Sequence, residues 1–118
     1  MESLAKQFNH NFNDGYFELF DKNNNKIYSE NSDGFWSKKE YDINSYIIYY
    51  ENSKGFWIKR EYDDQNNEIY YEDSDDIWVK KIFDINNNEI YSESSIGRIF
   101  DNRPKKTITI NGKEYQEI

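Results

Sequence analysis

Residues 55–75 read GFWIKREYDDQNNEIYYEDSD, and the chain says nearly the same thing on either side. Residues 34–54, GFWSKKEYDINSYIIYYENSK, precede this stretch in phase, and residues 76–96, DIWVKKIFDINNNEIYSESSI, follow it. Asp21, Asp42, Asp63 and Asp84 stand 21 apart, each behind a ring: Phe20, Tyr41, Tyr62 and Phe83. Ile27, Ile48, Ile69 and Ile90 keep the same period, as do the tyrosines one residue on and the glutamates Glu30, Glu51, Glu72 and Glu93. A first unit opens at Gly15-Tyr16-Phe17 and is two residues short before its Asp, as terminal repeats often are.

Each unit holds two short runs rich in aromatic and β-branched residues, Phe-Trp-x-Lys-x-x-Tyr and Ile-Tyr-Tyr-Glu, separated by Asn/Asp clusters. That composition predicts one β-hairpin per repeat. The inner turn, Asp63-Asp64-Gln65-Asn66-Asn67 in the third unit, carries Asn24, Ser45, Asn66 or Asn87 at one position. Asn tolerates a left-handed backbone best among non-glycine residues, so a type I turn closed by a left-handed residue is expected. The outer turns Ser32-Asp33-Gly34 and Ser53-Lys54-Gly55 supply glycine for the same purpose. Alternation puts Trp57, Lys59 and Glu61 on one side of a strand, and Phe56, Ile58, Arg60 and Tyr62 on the other. Rings and charges mix on both sides, whereas a two-layer domain shows one clean apolar face. The basic pairs Lys38-Lys39, Lys59-Arg60 and Lys80-Lys81 are expected to face Glu51, Glu72 and Glu93 on neighbouring strands.

The fold class read from this pattern is all-β: an antiparallel meander of tandem 21-residue hairpins, its sheet twisted or curled. Residues 1–14 form an N-terminal cap segment, 15–96 four tandem hairpins, and 97–118 a loop and a terminal hairpin, all in one domain. Leu4, Phe8 and Phe12 are spaced by four, which suits a short helix and equally one face of a strand. In the tail, Asn111-Gly112 between alternating segments is a strong hairpin signal, pairing Ile108 with Tyr115 and Lys106 with Glu117.

Composition bounds the chemistry. Only 36% of the 118 residues are hydrophobic and 19% are aromatic, so the apolar material is mostly rings: 11 Tyr, 8 Phe and 3 Trp. The mean hydropathy of -1.14 resembles that of disordered chains, but these are poor in aromatics, and a thin, wet β-structure follows. No cysteine is present, which excludes disulfides and thiolate metal sites. The N-terminus lacks an apolar signal region and no stretch reaches membrane-spanning length, so a soluble, cytoplasmic protein with no membrane partner is expected. The net charge of -8 argues against direct nucleic-acid binding, which relies on Lys and Arg.

The residues Gly55-Phe56-Trp57-x-Lys59-Arg60-Glu61-Tyr62-Asp63, continued by Asn67-Glu68-Ile69-Tyr70-Tyr71-Glu72-Asp73-Ser74, resemble a tandem repeat of small bacteriophage and prophage proteins. Units of that family read roughly GYW-x-KREYDENGNEIYYEDS, often followed by a tail like Asp101-Asn102-Arg103-Pro104-Lys105-Lys106. The resemblance covers about residues 15–118 and departs at Asn24, Ser45, Asn66 and Asn87, where the family has glycine. It implies a location in a bacterial host cell and a role as an inhibitor of host defence, anti-CRISPR proteins being one such class. It implies no catalytic residues. A looser similarity links the units to the Tyr-Asp repeats of large secreted toxins, whose shell a chain of this length cannot form.

No catalytic or metal-binding constellation and no cofactor motif stands out. His10 is the one histidine and has no partner pattern. Asp21-x-Asn23-x-Asn25 imitates the start of an EF-hand loop but lacks its Gly and its Glu, so it reads as a turn. Two surfaces are candidates for binding. One is an aromatic column of Trp36, Trp57 and Trp78 with Tyr49 and Tyr70, the tryptophans about 10 Å apart if two strands at ~4.8 Å separate successive copies. The other is an acidic patch in the third unit, Asp63, Asp64, Glu68, Glu72, Asp73, Asp75 and Asp76. Duplex DNA carries about six charges per ~10 Å. Residues 55–75 sum to -5 and 34–54 to zero, so mimicry along the whole molecule fails while a local patch remains. The leading expectation is a non-enzymatic inhibitor that occludes a host protein complex handling nucleic acid. The alternatives are a carbohydrate- or surface-binding repeat protein that stacks sugars on tryptophan, and a structural phage protein that self-associates through its sheet edges into a homodimer.

Overall fold

The computed structural model describes residues 3–104 and 107–116, and they form an all-β protein with one short helix. Nine strands pair antiparallel in strict chain order, so the sheet is an open meander with β1 and β9 as its edges. They are β1 (Phe17–Phe20), β2 (Lys26–Glu30), β3 (Trp36–Tyr41), β4 (Ile47–Asn52), β5 (Trp57–Tyr62), β6 (Glu68–Asp73), β7 (Trp78–Phe83), β8 (Glu89–Ser94) and β9 (Ile99–Asp101). Two more strands, β10 (Thr107–Ile110) and β11 (Lys113–Gln116), make a separate hairpin in which Ile108 is opposite Tyr115. The expected Lys106–Glu117 pair lies outside the described residues. One helical turn, α1 (Leu4–Gln7), is capped by the Ser3 hydroxyl, and a single 3₁₀ turn at Phe12–Asp14 follows it.

Both kinds of turn are built alike. In the inner turn of the third unit, Asp63 N–H donates to Asn67 O at 2.9 Å and Asn66 N–H to Asp63 O at 3.0 Å; in an outer turn, Asn52 and Gly55 make the same bonds to Phe56 and Asn52. The left-handed position is occupied as its residue types predict: φ is 65–66° at Asn24, Ser45, Asn66 and Asn87, and 84–86° at Gly34, Gly55 and Gly97. The recurrent Asp is the side-chain half of the inner turn, since Asp63 Oδ1 accepts N–H groups from Gln65 and Asn67, each at 2.9 Å. Asp21, Asp42 and Asp84 do the same. Neighbouring inner turns are then tied together by Asn25 donating to Ser45 (3.2 Å), Asn44 to Asn66 (3.2 Å) and Asn67 to Asn87 (2.9 Å).

Each hairpin also carries a β-bulge behind its inner turn: Glu61 is opposite Tyr70, but Tyr62 is opposite Glu68. Glu51 pairs with Lys38 on one side and with Trp57 on the other. Every unit is therefore displaced by two residues along the strands relative to the one before. Two strand spacings combined with this slip put successive tryptophans about 12 Å apart, not the 10 Å of an unsheared stack.

The sheet is a single layer. The chain measures 80 × 29 × 19 Å and exposes 9302 Å², whereas a compact chain of this mass exposes about 6,800 Å². Among the described residues the buried hydrophobic side chains are Ala5, Phe17 and Tyr28, all where the N-terminal segment lies against β1 and β2. Strand β9 falls within 97–118, the segment read as loop and hairpin: Gly97–Asp101 is the opening of a fifth unit, with Ile99 where Trp57 and Trp78 stand. The loss of the Trp and Lys of the repeat hides it.

The turns supply a stability test. Ser45 sits at φ 65° with a side chain poorly suited to it, and Gly55 at φ 84° has nothing within 4 Å of an added Cβ. Urea denaturation should show Ser45→Gly stabilising the fold by about 0.5–1 kcal/mol and Gly55→Ala destabilising it by about 1 kcal/mol through backbone strain alone.

Candidate binding surface

Residues directly opposite one another in the ladder share a face, so the register sorts every strand residue. One face carries rows that cross the strands. Glu40, Tyr49, Lys59, Glu72 and Trp78 form one; Glu61, Tyr70, Lys80, Glu93 and Ile99 form the next. An earlier row reads Leu19, Tyr28, Lys38, Glu51 and Trp57. We refer to this as the tryptophan face.

Within it each side chain has a repeated set of partners. The lysine two residues beyond each tryptophan lies over its ring, with Nζ at 5.1 Å from Trp36, 5.0 Å from Trp57 and 5.2 Å from Trp78. Such cation–π contacts contribute about 0.5–1 kcal/mol at exposed sites. The tryptophans are half-buried, and each backbone N–H is bonded to a serine hydroxyl of the next outer turn, 3.1 Å for Trp57 to Ser74. Each tyrosine hydroxyl donates to the glutamate two residues on: Tyr49 to Glu51 (3.2 Å), Tyr70 to Glu72 (3.0 Å) and Tyr91 to Glu93 (2.9 Å). Burial, followed by the neighbouring carboxylate, raises the pKa of Tyr49 and Tyr70 above the ordinary tyrosine value.

The face is acidic. Among the residues of β1–β9 it holds seven carboxylates (Glu30, Glu40, Glu51, Glu61, Glu72, Glu93 and Asp101) against three lysines, a net -4. The reverse face holds four of each sign and is neutral. Most of its charges are paired, Arg60 with Glu68 at 2.9 Å and Lys81 with Glu89 at 3.2 Å. The first unit makes the same bridge with signs exchanged, Glu18 with Lys26 at 2.6 Å.

The predicted aromatic column is thus gathered on one face: Trp36, Trp57, Trp78, Tyr49 and Tyr70. The predicted acidic patch is divided. Asp63 and Asp64 lie in an inner turn and Asp75 and Asp76 in an outer turn, separated by strands of six residues, about 20 Å. Glu72 is on the tryptophan face and Glu68 on the reverse. Asp73 is buried and engaged by the Tyr71 hydroxyl at 2.8 Å and the N–H groups of Asp75 and Ile77. Those bonds, Tyr71 first, hold its carboxyl below the ordinary range, and the Asn67 N–H does the same for Asp63. The carboxylates Glu40 and Glu61, not singled out from sequence, are exposed beside the aromatic column. Alternation within the strand was the signal that marks them.

The N-terminal segment closes one end of the tryptophan face. Glu30, buried, accepts the Tyr28 hydroxyl at 2.8 Å and Ala5 N–H at 3.3 Å. His10 packs against Phe12 and Phe17, with Nε2 at 2.9 Å from Gly15 O. Among the described residues no three His, Asp or Glu side chains are grouped to hold a metal, and no helix is long and apolar enough to cross a membrane. No protein-family model matches the chain, and the comparison with curated proteins also finds no match.

Burial and then the bond to Glu30 push Tyr28 up to about 12 from 10.0. A raised pKa favours the neutral hydroxyl in the folded chain, so the N-terminal latch holds below pH 10 and is lost as pH rises towards about 12. Tyrosinate absorbance followed alongside near-UV circular dichroism should show the last-titrating tyrosine coinciding with a loss of aromatic signal, and Tyr28→Phe should remove that step.

Proposed function

We propose that the protein is a non-enzymatic binding module that occludes a protein partner with its tryptophan face. The observation that carries this reading is the partition of charge: the whole net charge of the nine strands lies on the face that also holds the tryptophan and tyrosine rows. Aromatic area with one-signed charge suits a basic protein surface, because rings supply anchors and complementary potential speeds and orients docking. Together with the resemblance to phage repeat proteins, this favours a host defence complex whose basic groove handles nucleic acid. Sugar stacking is less well served, since a lysine lies over each tryptophan ring where a pyranose would sit.

The test uses tagged protein and lysate of a defence-bearing bacterial host, with captured proteins identified by mass spectrometry. A nucleic-acid-handling complex should be recovered at low salt, be released at high salt, and be lost with the Glu40→Lys/Glu61→Lys variant, which alters two exposed side chains. Undiminished recovery by that variant would refute the electrostatic reading of this face.

A further inference from the structure

Among the described residues nothing covers the reverse face. The N-terminal segment lies on the other side, against Phe17, Tyr28 and Trp36. Yet the reverse face is the less charged of the two, with eight charged side chains on its strands against ten, and its charges sum to zero. Its rows read Lys39, Tyr50, Ile58, Asp73 and then Arg60, Tyr71, Val79, Ser94, with Phe56 against Tyr50. Exposed apolar side chains are strung along its whole length at Phe20, Phe35, Ile77 and Phe100. On the tryptophan face the exposed aliphatics of the strands, Ile82 and Ile99, lie together near one end.

From this arrangement we infer that the reverse face packs against the reverse face of a second copy of the same chain. A sheet buries the apolar side chains of a face only by meeting another layer, and the described residues, 19 Å thick, supply none for this one. Charge selects the occupant: two neutral faces meet without repulsion, whereas two tryptophan faces would set -4 against -4. Area agrees with it. The 48 residues of the nine strands, at ~3.3 Å along a strand and ~4.8 Å between strands, present roughly 760 Å² per copy, close to the ~800 Å² each partner contributes to a stable interface. The resulting sandwich keeps both tryptophan faces outward, so one dimer offers two equivalent docking surfaces. The ion pairs Arg60–Glu68 and Lys81–Glu89 enter the interface already neutralised.

Sedimentation velocity over a wide concentration range should show a species of twice the 14.4 kDa chain mass. Ile58→Lys should raise its dissociation constant by more than about tenfold, with far-UV circular dichroism confirming that the strands remain. The chain has no cysteine, so single-cysteine variants report on each face without background. Ile58→Cys should lose maleimide reactivity as the dimer forms, and Lys59→Cys, its neighbour on the tryptophan face, should not. A monomer at every concentration would overturn the inference. So would a dimer that leaves both cysteines equally reactive, which marks pairing through β1 or β9, or one that protects Lys59→Cys instead.

Discussion

A single-layer sheet has no interior, and this constraint governs the rest of the structure. Stability cannot come from a core of interlocking aliphatics when so few side chains are buried. It is distributed over contacts that lie in the plane of the sheet: lysine over tryptophan, tyrosine hydroxyl to glutamate, base to acid across a hairpin. Each is weak, surface ion pairs contributing about 0–1 kcal/mol. Repetition compensates, because every unit contacts the next in the same way and the terms add along the chain. The scarcity of aliphatic residues and the abundance of rings are consequences of that arrangement. Rings are among the few side chains large enough to cover a pleated surface from one side while offering a polar tip to a neighbour.

The turns are the second element of the design, because they set the stagger. A left-handed residue closes each of them, followed by a bulge behind each inner one, and the two-residue displacement per unit results. The displacement aligns a glutamate of one unit with the tryptophan of the next, as Glu51 with Trp57, so that the rows of the tryptophan face run through three units instead of ending within one. The exchange of Glu18–Lys26 for Arg60–Glu68 shows the same geometry accepting either polarity, provided the two members change together.

Much of this is legible in the sequence. The 21-residue period, the hairpins, the turn residues and the pairing of Lys38 with Glu51 follow from alternation and turn chemistry. The bulge was not legible, since no residue type demands it, and without it neither the stagger nor the spacing of the tryptophans can be derived. The partition of charge between faces escaped for the same reason: Glu68 and Glu89 change sides when one extra residue enters the strand. The acidic patch was read as contiguous because its members are close in sequence, but a strand separates the two ends of a hairpin by its full length. The fifth unit was hidden by substitution at its diagnostic positions, Ile99 for tryptophan and Asp101 for lysine. Arg103, just beyond that last strand, bridges to Asp101 at 2.9 Å and lies 4.2 Å from the ring centroid of Tyr91, an acid–base pair two residues apart in the order opposite to Lys59 and Glu61.

The direction of the strands has a mechanical meaning. They run across the long dimension of the molecule, and the chain enters the sheet at β1 and leaves it at β9. Tension applied between the two ends therefore loads the ladder hydrogen bonds one at a time, as a zipper is opened, and never shears a whole strand at once. Such a ribbon yields at low force and in steps of one hairpin, each releasing a similar length of chain. It is compliant along its axis and can give up one end without losing the remainder.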